Sequence, residues 1–294
     1  MSILSWFKSS KKEVVEDGPC ESHYENGQLE SKGTYKDGQR DGHWEFFHEN
    51  GQLKSKENFK DDKADGPQEW FHKNGQSRER QSYKDGKKEG HWELFHENGQ
   101  LKSKGNFEDS GRNGPFQVFY NNGQARSKGN HKNDERDGPY ESYHEVGQLE
   151  SKGNFKDGKR DELWEEFHEN GQLRSTENFK GGKRDELWEQ FHKNGQLCCK
   201  GNYKYDSQDG LFEEYYDNGQ LKVKENYKDD KKDGPYESYD ENGQLKIKEN
   251  YKEDIKHGPY ESYDENGQLK SRGTFKNGVL DGAYELYEDG VLQS

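Results

Sequence analysis

The tripeptide Asn-Gly-Gln returns every 24 residues along this chain, and that period constrains the fold more than any other feature. A fixed period of this length is typical of repeat architectures, in which each repeat buries its apolar face only against its neighbours. It predicts about twelve repeats in one array over residues 18–294, preceded by an N-terminal capping or anchoring segment over residues 1–17. The tripeptide begins at residues 26, 50, 74, 98, 122, 170, 194, 218, 242 and 266, and Val146-Gly147-Gln148 fills the missing place.

Each repeat is numbered here from position 1, which is Gly42 in the second repeat, to position 24, which is Asp65. Two runs of alternating side chains flank Asn-Gly, and this predicts a β-hairpin with a type I′ turn, whose two central residues both need a positive φ. All six prolines fall at position 2, where a strand begins and no ladder hydrogen bond is lost. The second junction varies more and predicts a looser loop. The predicted fold class is all-β, an elongated, twisted antiparallel sheet or superhelix of hairpins.

The Asn-Gly turn sets a register in which paired positions sum to 19. Position 4 is mostly Glu and position 15 mostly Lys, so opposite charges such as Glu45 and Lys56 face each other. Position 3 carries a large ring, and position 16 is often Gly, which leaves room for that ring. Strict alternation predicts that the rings at positions 3 and 18 share the packed face with the Leu at position 12, and that the ring at position 6 lies on the other face.

The composition favours a thin sheet with an aromatic face. Hydrophobic residues make up 25% of the chain and charged residues 36%, whereas aromatic residues reach 13%, and each buried ring removes a large area from water. The net charge of −14 argues against nucleic acid and anionic membranes and favours a basic protein partner. Since a single-layer sheet has to cover its aromatic face, coiling of the sheet and pairing as a homodimer are both open.

Residue types that support catalysis follow the repeat period, which argues against an active site. Histidines recur at position 7 about 10 Å apart by strand spacing, too far to share one ion. Cys20, Cys198 and Cys199 show no disulfide spacing, and since neighbours on a strand point to opposite faces, Cys198 and Cys199 are expected to be a poor metal pair. No enzyme activity, cofactor or metal site is predicted. The cysteine usage, with no signal peptide or membrane span, predicts a cytoplasmic protein.

The ring at position 6 is the candidate partner-binding feature. One interpretation is that it packs beneath its neighbours or under Lys stems, such as that of Lys54 at position 13. The other is an exposed ladder of rings that grips an extended partner. The candidate residues are Phe47, Phe71, Phe95, Phe119, Tyr143, Phe167, Phe191, Tyr215, Tyr239 and Tyr263, and Tyr287 continues the series.

The form Asp-Gly-x-Trp/Tyr-Glu-x-Phe/Tyr-x-x-Asn-Gly-Gln-Leu-Lys, over about residues 18–292, resembles the MORN repeat and, more closely, the MORN-variant repeat of bacterial YwqK-like proteins. The resemblance implies binding of protein, and sometimes of lipid, rather than catalysis. Many YwqK-like proteins are assigned as antitoxins, so the leading hypothesis is a scaffold that neutralises a basic toxin. The second hypothesis is a membrane-peripheral scaffold that binds lipid through Ile3, Leu4, Trp6 and Phe7. Residues that depart from the pattern are Gln68, Ser77, Ala125 and His131.

Overall fold

The computed structural model describes residues 16–288 and 290–293. Within these ranges the chain forms strands and turns and no helix, so it has no helix long and apolar enough to cross a membrane. The predicted all-β fold of hairpin repeats is confirmed. The chain divides into two compact units: the first ends at Gln124 and includes His131–Asp134, and the second comprises Ala125–Asn130 and continues from Glu135. Most of the N-terminal segment, residues 1–15, lies outside the described residues.

The first unit contains twelve of the described strands. They are β1 (Gly18–His23), β2 (Leu29–Lys36), β3 (Gln39–Arg40), β4 (Gly42–Phe47), β5 (Leu53–Lys60), β6 (Lys63–Ala64), β7 (Gly66–Phe71), β8 (Ser77–Lys84), β9 (Lys87–Phe95), β10 (Leu101–Glu108), β11 (Gly111–Arg112) and β12 (Gly114–Phe119). Neighbouring strands pair in an antiparallel manner, as β1 does with β2 and β4 with β5.

The second unit repeats the same pattern, except that the last two residues of β13 belong to the first unit. Its strands are β13 (Ala125–Lys132), β14 (Glu135–Arg136), β15 (Gly138–Tyr143), β16 (Leu149–Lys156), β17 (Lys159–Phe167), β18 (Leu173–Lys180), β19 (Lys183–Phe191), β20 (Leu197–Lys204), β21 (Ser207–Tyr215), β22 (Leu221–Lys228), β23 (Lys231–Tyr239), β24 (Leu245–Lys252), β25 (Ile255–Lys256), β26 (Gly258–Tyr263), β27 (Leu269–Lys276), β28 (Val279–Leu280), β29 (Glu285–Glu288) and β30 (Val291–Leu292).

The hairpin register is the predicted one over the first five positions of a repeat. In β4 and β5, Trp44 lies opposite Glu57 and Glu45 lies opposite Lys56, so paired positions sum to 19. At position 6 the register shifts, and Phe47 pairs with Leu53. The same shift occurs at the same place in β1–β2, β15–β16, β19–β20 and β26–β27. Each of these hairpins therefore carries a β-bulge with position 13 as the extra residue.

The bulge overturns two predictions that rested on strict alternation. The Leu at position 12 pairs with the ring at position 6, so it lies on the face opposite the rings at positions 3 and 18. Positions 13 and 14 share one side of the sheet, because Ser22 at position 5 bonds both Glu30 (3.2 Å) and Ser31 (2.8 Å). The prediction that Cys198 and Cys199 point to opposite faces was wrong for this reason, since a bulge re-aims a side chain.

The Asn-Gly loop is wider than predicted. Among its residues in the second repeat, only Gly51 has a positive φ, of 79°. The loop is closed by a hydrogen bond of 2.8 Å from the His48 amide to the Gln52 carbonyl, which leaves three residues between them. The predicted type I′ turn is therefore replaced by a three-residue loop with a left-handed glycine.

The type I′ turn occurs instead at the second junction, where a looser loop was predicted. Asp37 and Gly38 both have a positive φ, of 52° and 70°, and they connect Lys36 directly to its partner Gln39. The next repeat has the same turn at Asp61 and Asp62. Its sequence varies because several residue pairs accept the left-handed conformation here, and Asn and Asp accept it most readily.

Rings at positions 3 and 18 form the core. Trp44 and Trp164 are only 3% and 2% exposed. Each meets the position-18 ring of the preceding repeat edge to face, with centroids 5.0 Å apart, as Phe155 does with Trp164. The Arg160 guanidinium covers the Trp164 ring at 4.2 Å. Aromatic packing of this kind is stronger than the buried area alone suggests.

The glycine at position 16 makes room for the tryptophan, as predicted, and it does so in two ways. Trp44 lies over Gly33 of the preceding repeat, where an added Cβ would be 2.2 Å from the ring. Trp92 lies over Gly105 of its own repeat, where the distance would be 2.9 Å. The difference follows from sequence, because the repeat before Trp92 carries Gln81 at position 16. Trp164 with Gly153 and Trp188 with Gly201 obey the same rule.

Candidate protein-binding surface

In each unit, the candidate rings at position 6 lie on the face opposite the tryptophans at position 3, together with Glu at position 4 and Lys or Arg at position 15. This face of each unit is called the ladder face below. All ten rings are half-buried. They are partly covered by neighbouring side chains, so the ladder face is not a row of freely exposed rings. A partner that binds here meets ring edges and charges together.

A cation of the preceding repeat covers many of these rings. Lys32 lies 5.8 Å from the Phe47 ring centre, and Arg80 lies 4.9 Å from that of Phe95. The same arrangement holds for Lys128 with Tyr143, Lys152 with Phe167, Lys200 with Tyr215, and Arg272 with Tyr287. The covering residue is at position 15. The interpretation that position 13 supplies it was wrong: Lys222 at that position bonds Glu214 at position 5, on the other face, at 2.7 Å.

Charge pairs join successive hairpins along the ladder face. Lys32 lies between Glu21 of its own hairpin and Glu45 of the next, and it pairs with Glu45 at 2.8 Å. The hydrogen bond from Lys32 lowers the pKa of Glu45. The equivalent pairs are Lys128–Glu141, Lys152–Glu165, Lys200–Glu213 and Arg272–Glu285. The predicted charge complementarity is present, and in these pairs the contact is to the following repeat, whereas Arg80 and Lys248 lie closest to Glu69 and Glu237 of their own hairpins.

Tyrosines at position 6 add a hydrogen bond to the same carboxylates. The Tyr239 hydroxyl donates to Glu237 and the Tyr263 hydroxyl donates to Glu261, both at 2.7 Å. Burial, followed by the bond to Glu237, raises the pKa of Tyr239 to about 12. These hydroxyls therefore stay protonated at neutral pH and hold the position-4 carboxylates in place.

Position 7 connects neighbouring repeats beside the Asn-Gly loop. Nε2 of His72 lies 3.2 Å from the carbonyl oxygen of Phe95, and the Tyr216 hydroxyl donates to the carbonyl of Tyr239 at 2.9 Å. His96, His144 and His168 make the same contact as His72, whereas Nε2 of His192 lies 3.1 Å from Asp217. Over residues 16–288 and 290–293, no group of three or more His, Cys, Asp or Glu side chains is arranged to hold a metal ion.

The ladder is interrupted in the seventh and eighth repeats. Thr176 replaces the cation at position 15, and its hydroxyl donates to Glu189 at 3.4 Å. Within the described part of the chain, no cation lies within 4 Å of the Glu189 carboxylate to form an ion pair with it. Glu189 therefore lacks the cation that the preceding repeat supplies elsewhere, and Lys200 opposite it in its own hairpin pairs with Glu213 of the next repeat.

Exposed leucines lie beside this interruption. Leu163 and Leu187 occupy position 2, where most repeats carry Pro or His, and they are 46% and 41% exposed. They flank Asn178, which lies opposite Leu163 and donates to the Leu187 carbonyl at 2.9 Å. Together with Glu162, Glu186 and Glu189 they form what is called the acidic leucine patch below. Sequence reasoning missed this patch, although two departures from the period, Lys to Thr and Pro to Leu, mark it.

Solved structures that resemble the chain do so only remotely. The TcdB2-TccC3-Cdc42 structure is 11% identical, with 88% of this chain covered, 17% of that chain covered and a TM-score of 0.20. The Photorhabdus luminescens Tc holotoxin pore is 11% identical, with coverages of 92% and 17% and a TM-score of 0.20. A porin-like protein from Bacteroides uniformis is 10% identical, with coverages of 76% and 91% and a TM-score of 0.18. The match thus spans less than a fifth of the first two chains. No curated protein matches the sequence.

A family model describes nearly all of the array. The MORN repeat variant model matches residues 16–37, 40–61, 64–85, 88–109, 112–133, 136–157, 163–180, 187–205, 208–229, 232–253 and 256–277. MORN repeats generally form non-catalytic scaffolds that bind protein or lipid. The matched segments follow the same period as the hairpins described above. This chain therefore belongs to the MORN repeat variant family.

Proposed function

We propose that this protein is a non-enzymatic scaffold that binds a basic protein partner on its ladder face, as an antitoxin or immunity-type protein does. The rings predicted as binding residues supply the apolar part of that face. The acidic balance of the chain, −14, favours a basic partner. We place this activity in the cytoplasm, because Cys20, Cys198 and Cys199 show no disulfide spacing.

The observation that carries the proposal is the acidic leucine patch. Elsewhere on the ladder face many of the position-4 carboxylates already contact a Lys or Arg, so a partner's cation has to displace one. Glu189 accepts from the Thr176 hydroxyl, and Lys200 opposite it pairs with Glu213 at 2.9 Å instead. A Lys or Arg of the partner takes the place that a position-15 cation fills in other repeats. An apolar side chain of the partner, next to that Lys or Arg, covers Leu163 and Leu187. The interface then has an apolar centre and charged residues around it.

The test is affinity purification of the tagged full-length protein from its native cell, compared with a triple variant. The variant combines Thr176→Lys, Leu163→His and Leu187→His. Each change restores what other repeats carry: Lys at position 15, and at position 2 the His of the repeats that contain Trp44 and Trp92. The hairpins are therefore expected to fold in both proteins.

The expected result is one basic protein in stoichiometric amount with the wild type and its loss with the triple variant. Equal recovery of the partner with both proteins would show that the partner binds outside the acidic leucine patch. Recovery of no stoichiometric protein with the wild type would contradict the proposed function itself.

The alternative is a membrane-peripheral scaffold that binds lipid through the N-terminal segment. Its apolar residues Ile3, Leu4, Trp6 and Phe7 lie outside the described residues, so it rests on sequence alone. Flotation with vesicles of anionic lipid, with and without residues 1–12, distinguishes the two functions. Flotation that depends on residues 1–12 would favour the membrane scaffold.

A further inference from the structure

Two consecutive thiols lie at the β-bulge of the eighth repeat. Cys199 at position 14 pairs with Gln190, and the next pair is Leu197 with Phe191, so Cys198 at position 13 is the extra residue. Both cysteines are free. Cys199 is 8% exposed, whereas Cys198 is half-buried.

Equivalent residues of other repeats show which way such a pair points. In the sixth repeat, the Ser142 hydroxyl at position 5 bonds both Glu150 (3.0 Å) and Ser151 (2.7 Å), which occupy positions 13 and 14. Ser22 makes the same two contacts in the first repeat. One side chain reaches both positions, so both project to the same side of the sheet.

The eighth repeat keeps this geometry. Sγ of Cys199 donates to Oε1 of Gln190, the position-5 residue, at 3.5 Å. After burial, the neighbouring Cys198 is the next cause of the raised pKa of Cys199, which agrees with two side chains on the same side. The two sulfurs are therefore neighbours on one face, unlike those of consecutive residues in a regular strand.

The surroundings restrict the chemistry of this pair. Burial, followed by the neighbouring Cys198, raises the pKa of Cys199 to about 12, so this thiol stays protonated at neutral pH. Reactions that need a thiolate, such as alkylation or oxidation by peroxide, are slow at such a group. A structural zinc ion needs four ligands, and over the described residues no third His, Cys, Asp or Glu joins the pair to hold a metal.

We propose that Cys198 and Cys199 form a vicinal dithiol site that chelates a monosubstituted trivalent arsenical. The ligand R–As(OH)₂ keeps its organic substituent and needs only two further donors. Two As–S bonds form and two As–O bonds break, and each thiol proton leaves with a hydroxide as water. Nothing is oxidised or reduced, and protonated thiols serve as reactants. This site is independent of the ladder face and of the proposed partner.

The probe is phenylarsine oxide, added to the native full-length chain and followed by intact-mass spectrometry. The expected result is one adduct per chain, with a mass increase equal to one phenylarsenic group minus two hydrogens. The adduct is expected to be reversed by 2,3-dimercaptopropanol. Cys198→Lys and Cys199→Ser are each expected to weaken binding at least tenfold. These changes restore the residues of other repeats, as in Lys54 and Ser55, so the hairpin is expected to fold.

Cys20→Ser is the matched control, since Cys20 is a free thiol with no neighbouring cysteine, and it is expected to leave the adduct unchanged. An adduct that appears only after unfolding in urea would show that the native thiols point apart and would overturn the proposal. An adduct that survives Cys199→Ser, or that Cys20→Ser removes, would overturn it as well.

Discussion

The indole of Trp44 lies against Gly33 of the preceding repeat, so closely that a Cβ on Gly33 would be 2.2 Å from Cδ2 of the ring. The indole Nε1 donates to the Thr34 carbonyl at 3.2 Å. Ring and backbone are thus fixed to each other across two repeats. The contact couples neighbouring hairpins, and it depends on the absence of a side chain.

Gly33→Ala is expected to lower the free energy of unfolding by about 1–3 kcal/mol, because overpacking moves a ring that is 3% exposed. Chemical denaturation measures the change. Gly111→Ala is the control in the same unit, since its added Cβ would lie 3.4 Å from the nearest atom. Because Gly→Ala on its own reduces the entropy of the unfolded chain and favours folding, an equal loss in both variants would show that contact with Trp44 does not set the cost.

Glu186→Gly is expected to stabilise the protein by about 1 kcal/mol. Glu186 has a φ of 68°, at position 1, where most repeats carry Gly, and a left-handed conformation costs an L-residue roughly 1–2 kcal/mol. Glu186→Ala removes the same charge but keeps the Cβ, so it is the control and is expected to give no such gain. A gain of equal size in both variants would assign the effect to charge.

Lys32→Met is expected to raise the pKa of Glu45, because the hydrogen bond from Lys32 is the main cause of its lowered value. A carboxyl group whose pKa is lower in the folded than in the unfolded state stabilises the fold at pH values above the unfolded pKa. That stabilisation is lost as the pH falls through the folded-state pKa. Removal of Lys32 therefore reduces the loss of stability below pH 4.5, the ordinary value for Glu.

NMR titration of the Glu45 carboxyl group measures this change. Lys36→Met is the control, since the described residues include no ion pair of Lys36. An unchanged Glu45 titration in Lys32→Met would contradict the pairing between successive repeats.

Tyr239→Phe is expected to remove a phenol titration near pH 12 from the ultraviolet absorbance of the protein. A phenol with a raised pKa in the folded state stabilises the fold below its unfolded value of 10.0, and that contribution is lost as pH rises through about 12. The variant is therefore expected to lose less stability between these pH values. Phe already occupies position 6 in other repeats, such as Phe47, so the hairpin tolerates it. A wild-type titration in which Tyr239 ionises at its ordinary value would contradict the hydrogen bond to Glu237.

The sequence was sufficient for the features that depend on period and charge. The 24-residue repeat, the pairing of Trp44 with Glu57, and the glycine beneath each tryptophan at position 3 follow from spacing and from residue size. Each is a property of many repeats at once, so a departure in one repeat does not hide it.

Features that depend on the β-bulge were not predictable, because the bulge breaks the alternation of side chains between the two faces of the sheet. The bulge at position 13 changes the face of Leu53 and puts Cys198 beside Cys199, yet no residue type marks it. The two turn types were assigned to the wrong junctions. Asn-Gly also suits a three-residue loop, and the sequence of pairs such as Tyr205-Asp206 does not indicate a type I′ turn, although both residues have a positive φ.

The face on which the candidate rings lie was predicted, and their role in binding a partner stays a prediction. In each hairpin the ring at position 6 lies on the predicted face. A cation at position 15 covers many of these rings, as Lys32 covers Phe47, and this was not predicted. The acidic leucine patch was missed because Thr176 and Leu163 are ordinary residues in isolation. They become informative only when their neighbours in the ladder are known.

Binding to a basic partner through the acidic leucine patch is the central claim. The most direct measurement is calorimetric titration of the partner recovered with the wild type, against wild type and the Thr176→Lys, Leu163→His, Leu187→His variant, at two salt concentrations. We expect affinity to fall at least tenfold in the variant and to depend less on salt, because the introduced lysine then neutralises Glu189 within the chain. Equal affinity and equal salt dependence in the two proteins would contradict the claim.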